Sequence, residues 1–78
     1  MRGTSVAIIE IKTDITGSVW KVLKRVGDAV EEDEPILILE SMKMEIPVSA
    51  AERGTVKEVL VKEGDIAPEG SVVARVEV

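Results

Sequence analysis

The sequence matches itself. Shifted by 37 positions without a gap, Gly17 falls on Gly54, Val19 on Val56, Val22 on Val59, Leu23 on Leu60, and Gly27-Asp28 on Gly64-Asp65; Glu32 on Glu69 and Glu40 on Glu77 keep the register. A solenoid needs about three or more units to bury the faces between them. Two units in 78 residues therefore point to one closed, pseudo-twofold domain.

Each unit reads as β structure. Residues 19–23 and 56–61 are predicted strands, each followed by a Gly-Asp turn and then by a second strand, over 36–39 and 72–76. Extending the register backward lays Ile9-Glu10-Ile11 on Ile46-Pro47-Val48, which adds one alternating strand per half. With a brief strand after each Gly-Asp, about eight short strands result, and strands that short need two packed sheets or a flattened barrel to share a core. Val and Ile dominate the apolar content, and their branched side chains suit a pleated surface. Gly27 and Gly64 are expected at positive φ, and Asp33, which stands where the second half has Gly70, is expected to tolerate the same conformation. Pro35, Pro47 and Pro68 belong at strand starts or edges, because proline cannot donate to a ladder. Trp20, the single aromatic residue, is expected to be partly buried packing on an early strand.

Composition removes whole classes of function. There is no Cys and no His, so thiol nucleophiles, imidazole bases and the usual zinc ligands are missing, and no autonomous enzyme is expected. A net charge of −5 with no basic block, and one aromatic, argue against a nucleic-acid partner. The apolar run Val6-Ala7-Ile8-Ile9 stops at Glu10, too short for a signal-peptide core or a membrane span. A cytoplasmic protein without membrane contact is the expectation, and the absence of Cys fits a reducing compartment.

One segment resists a purely structural reading. Between two strands lies Glu40-Ser41-Met42-Lys43-Met44-Glu45, with no Gly, Asn or Pro at its middle, which is poor turn chemistry. If the strands run toward each other, Lys43 sits at the tip of a tight hairpin. Methionine usually fills gaps in cores, but a tip has little core to fill, so Met42 and Met44 read as a surface recognised by another protein. A shift of 37 from Lys43 lands on Val6 in one direction and just past Val78 in the other. The chain ends are then the counterpart of the hairpin, and a tether at either end leaves Lys43 free to travel.

The run Glu40-Ser41-Met42-Lys43-Met44, set between Gly27-Asp28 and Gly64-Asp65, resembles the attachment site of biotinyl domains across residues 16–77. The short chain and the run Met42-Lys43-Met44-Glu45-Ile46-Pro47 are most similar to the small bacterial biotin/lipoyl attachment proteins. The resemblance implies a flattened eight-stranded antiparallel barrel, a barrel-sandwich hybrid of two related halves. It further implies biotin on Lys43, attached by a biotin protein ligase, and carriage of a carboxyl group between a biotin carboxylase and a carboxyltransferase. Met42 and Met44 would serve recognition and the later carboxylation chemistry, not attachment itself, with Glu40, Ser41 and Glu45 as hairpin context. Family members commonly carry Ala in place of Ser41, and some insert a protruding thumb in the first half; the gapless match from Val22 to Gly27 predicts none here. The chain has no base to activate an amine, so attachment calls for an activated acyl donor and an enzyme to position it. Residues 1–5 read as a flexible lead-in and 6–78 as the carrier domain, expected to be monomeric. The rival readings are a lipoyl domain carrying lipoate, in which the family typically places Asp where this chain has Met42, and an unmodified β interaction module.

Overall fold

The computed structural model describes residues 7–78, so the expected lead-in at 1–5, and Val6, lie outside the described residues. The elements are β1 (Ile8–Lys12), β2 (Gly17–Val22), β3 (Ala29–Val30), β4 (Pro35–Ser41), β5 (Met44–Ser49), β6 (Gly54–Val59), β7 (Ile66–Ala67) and β8 (Val72–Glu77). They form two four-stranded antiparallel sheets, ordered β1-β8-β6-β3 and β5-β4-β2-β7, with no helix among the described residues. This is the expected flattened barrel-sandwich. Among those residues no helix is long and apolar enough to cross a membrane.

The repeat explains how the sheets are composed. A shift of 37 turns β1 into β5, β2 into β6, β3 into β7 and β4 into β8, so the order of the first sheet becomes that of the second. Each sheet takes two strands from each half. Consequently β1 pairs with β8 and β3 with β6 across the halves, and neither half can bury its own apolar faces. The halves are also stitched at their Gly-Asp turns: the Gly27 N–H donates to the Val56 carbonyl at 2.8 Å, and the Gly64 N–H to the Val19 carbonyl at 2.9 Å. Both glycines have positive φ, 96° and 95°, and each following carboxylate accepts a loop N–H at 2.9 Å, Asp28 from Arg25 and Asp65 from Lys62.

The core is symmetric residue by residue. Its buried members pair at the repeat interval: Ile11 with Val48, Thr13 with Ala50, Val19 with Val56, Val30 with Ala67, Ile36 with Val73, Leu37 with Ala74 and Leu39 with Val76. Thr13 is the one buried polar side chain named among them, and its hydroxyl is satisfied, donating to the Ile15 carbonyl at 2.7 Å and accepting the Ile15 N–H at 3.1 Å.

Three details differ from the sequence-based expectation. Strands β2 and β6 begin two residues earlier than the apolar pattern suggests, at Gly17 and Gly54. A Cβ at Gly17 would stand 2.8 Å from the Glu40 carbonyl oxygen, and one at Gly54 would collide with the Glu77 carbonyl, so glycine is needed for β2 and β6 to reach β4 and β8. Trp20 is less buried than expected, with 44% of its surface exposed. It is the extra residue of a β-bulge against β4, and Lys57 occupies the same bulge in β6. Pro35 opens β4 and Pro47 lies on the edge strand β5, as expected, whereas Pro68 falls in the turn after β7. Asp33 does adopt positive φ, 67°, beside 83° at Gly70. No thumb interrupts the short link between β2 and β3.

Candidate functional site

Strands β4 and β5 stay in register to their very end, with Leu39 opposite Ile46, Glu40 opposite Glu45 and Ser41 opposite Met44. Leu39 is fully buried, so the hairpin stands on the core. That pairing leaves a two-residue connection, Met42-Lys43. Both residues have positive φ, 51° and 66°, the arrangement of a type I′ turn, whose twist matches the flanking strands. Such turns ordinarily take Asn-Gly, because a Cβ in the left-handed region costs roughly 1–2 kcal/mol per residue. Here a methionine and a lysine bear that cost.

The geometry throws the side chains outward. Met42 is 93% exposed and Met44 62%, while Lys43 is exposed and takes part in none of the ion pairs among the described residues. Ser41 is half-buried at the root of the turn, and Glu40 and Glu45 face solvent side by side. The structure thus brings together all six residues singled out in the sequence, on one hairpin. What the sequence did not show is the left-handed backbone at Met42 and Lys43; the missing turn residues were its only trace.

The hairpin lies at the end of the molecule away from the chain ends. Val78 N–H bonds to the Ala7 carbonyl at 2.9 Å, so the described ends meet beside the start of β1. Residues 13–16 cross from the far end of β1 to the start of β2, which pairs with β4 beside Glu40. The start of the first sheet and the hairpin of the second therefore sit a strand length apart, about 20 Å for strands of this size.

The site contains one amine, two thioethers, a hydroxyl and two carboxylates. Among the described residues no base pairs with the amine, and what the hairpin presents to solvent is one exposed amine flanked by two exposed thioethers.

Known proteins resemble this chain in sequence and in fold. A biotin/lipoyl family model described as "Biotin-requiring enzyme" matches residues 4–76. The chain is 48% identical over 62 residues to the biotin/lipoyl attachment protein of Bacillus subtilis, covering 80% of this chain and 85% of that one. It is 36% identical over 74 residues to the dihydrolipoyllysine-residue acetyltransferase component of the pyruvate dehydrogenase complex of Corynebacterium glutamicum, covering 94% of this chain but 11% of that protein. Among solved structures, the urea carboxylase of Kluyveromyces lactis superposes with a TM-score of 0.86 at 33% identity, over 96% of this chain and 7% of the carboxylase.

Proposed function

The chain belongs to the biotin/lipoyl attachment family, and on that premise we propose that it is a biotin carboxyl carrier domain modified on the side-chain amine of Lys43. The observation that carries the reading is the Met42-Lys43 turn: two left-handed residues without glycine hold one unpaired amine in solvent on a stiff hairpin, away from the described chain ends. A covalent acyl group fits there, because the amine is exposed and takes part in no ion pair among the described residues.

The chain's own part is positional. Strands β4 and β5 fix the direction in which Lys43 leaves the domain, and Met42 and Met44 offer apolar, polarizable contacts to a biotin protein ligase and to later client enzymes. Ser41 keeps the root of the turn narrow, while Glu40 and Glu45 make it acidic. The ligase must supply both the activated acyl donor and the base that takes the proton from the amine. Biotin bound at Lys43 supplies carboxyl-carrying chemistry through its ureido ring. With the domain as its arm, Lys43 reaches a biotin carboxylase and a carboxyltransferase in turn, and tethering raises its effective concentration at each. Residues 6–78 make up this carrier, which acts as a monomer in the cytoplasm and has no catalytic residue of its own.

The acetyltransferase relative favours a second reading, lipoate on Lys43, against which Met42 stands, since lipoyl domains typically place Asp there. Expression with a biotin ligase and with a lipoate ligase in turn, followed by intact-mass measurement, decides. The biotin reading expects one biotinyl group, lost in Lys43→Ala. Lipoylation alone would replace it with the lipoyl reading, and no modification by either enzyme would leave an unmodified interaction module.

A further inference from the structure

Because one repeated backbone builds both sheets, each outward-facing residue can be compared with its counterpart in the other sheet. The outer face of the first sheet is closed by charge pairs: Arg75 meets Glu58 at 2.8 Å and Glu10 at 3.4 Å, and Lys57 lies 3.9 Å from Glu77. On the second sheet three of those five places are apolar: Ile38 stands for Arg75, Pro47 for Glu10 and Trp20 for Lys57, while Lys21 stands for Glu58 and Glu40 for Glu77, and the larger Ile66 takes the place of Ala29. Ile38 and Pro47 face each other across β4 and β5, Lys21 is opposite Ile38 on β2, and its ammonium lies 5.8 Å from the centre of the Trp20 ring. Trp20 is 44% exposed and Ile66 64%.

On the first sheet this backbone carries charge pairs at those places, with Ile8 of β1 as its one apolar exposure of note at 47%, so the fold does not require tryptophan, isoleucine and proline at the same places on the second. The acids differ as well. Glu10, Glu58 and Glu77 each have a cation, whereas Glu40 and Glu45 sit directly opposite one another with no ion pair among the described residues, an arrangement that disfavours the folded sheet. Both differences fall on the sheet whose β4 and β5 run into the Met42-Lys43 turn, so apolar face, acidic pair and exposed methionines form one continuous surface.

We propose that the outer face of the second sheet is the docking surface by which the enzyme that modifies Lys43 holds this domain, and that this enzyme presents an apolar patch bordered by basic side chains. The apolar residues exclude water at the centre and Trp20 is the anchor, since tryptophan is prominent among residues that dominate interfaces. Glu40 and Glu45 lie between that patch and the lysine, where a cation of the partner relieves their repulsion. The inference rests on Lys43 being the modified residue.

The test is steady-state attachment by whichever ligase, for biotin or lipoate, modifies the wild-type chain. Trp20→Lys installs the residue that the same bulge already accepts in β6, and the triple variant K21E/I38R/P47E transplants the charge pattern of the first sheet. Both should raise KM roughly tenfold with kcat within about twofold, while Lys57→Ala on the opposite face leaves KM unchanged. Thermal melts establish that the variants are folded, and if Trp20→Lys melts early the triple variant decides. Unchanged KM in a folded face variant overturns the docking surface while leaving Lys43 as the attachment site. Failure of both ligases on the wild-type chain overturns the two together.

Discussion

Replacing Met42-Lys43 by Asn-Gly should make the protein more stable while abolishing attachment. Both residues hold a positive φ, 51° and 66°. At roughly 1–2 kcal/mol for each side chain forced into the left-handed region, the turn stores about 2–4 kcal/mol. Asparagine relieves part of this at the first position. Glycine relieves all of it at the second but gives back roughly 0.5–1 kcal/mol, because it frees the unfolded chain. The net gain should be about 1–2 kcal/mol. For a domain of this size each kcal/mol moves the melting temperature by about 4–8 °C, so the variant should melt roughly 5–15 °C higher. Trp20, the single aromatic residue, reports urea unfolding by fluorescence, and far-UV circular dichroism gives an independent transition. Met42→Asn alone keeps Lys43 and should show a smaller part of the gain. A double variant as stable as wild type or less would refute the idea that the turn is held under strain for the sake of its exposed side chains.

Other expectations follow from the body of the domain. Gly54→Ala must push β6 away from the Glu77 carbonyl and the Val76 side chain, and should cost about 1–3 kcal/mol in urea unfolding, with Gly17→Ala costing a similar amount. Leu39→Ala empties the core directly beneath the hairpin and should cost about 2–5 kcal/mol, slowing attachment only as far as it loosens the turn. Glu34 has its pKa held below the ordinary carboxylate value, first by the Glu31 N–H it accepts at 2.9 Å and then by Lys24 at 3.0 Å. A depressed folded-state pKa stabilises above the unfolded-state value and ceases to do so as pH falls through the folded one. Glu34→Gln should therefore melt below wild type at neutral pH, with the gap closing below about pH 4, in melts recorded from pH 7 downward.

Much of this architecture was legible because it depends on local chemistry repeated twice. Gly27-Asp28 and Gly64-Asp65 mark turns by their φ requirement, and their carboxylates cap the loops in front of them. Asp33 could be placed at positive φ only because Gly70 stands at its counterpart. The hairpin was visible through what it lacked, since two strands converging on Met42-Lys43 have no glycine or asparagine to turn on. Strand starts were less legible. Periodicity sees apolar side chains, and Gly17 and Gly54 have none; their role is defined by the carbonyls of Glu40 and Glu77, which belong to other strands. Trp20 was misjudged for the same reason: its exposure follows from a bulge, and a bulge is a property of a strand pair.

The amino-acid order by itself determined that there are two equivalent halves, that they are β structure, and that one lysine sits between two methionines at a forced turn. Those are consequences of side-chain period, branching and backbone permissiveness, which act over a few residues. Only the tertiary structure decided that each sheet draws strands from both halves, and that one outer face is neutralised by charge pairs while the other is left more apolar, with an unpaired acidic pair among the described residues. These features arise where residues 37 positions apart occupy equivalent places in two different sheets, and a local pattern cannot encode which neighbours such residues will meet.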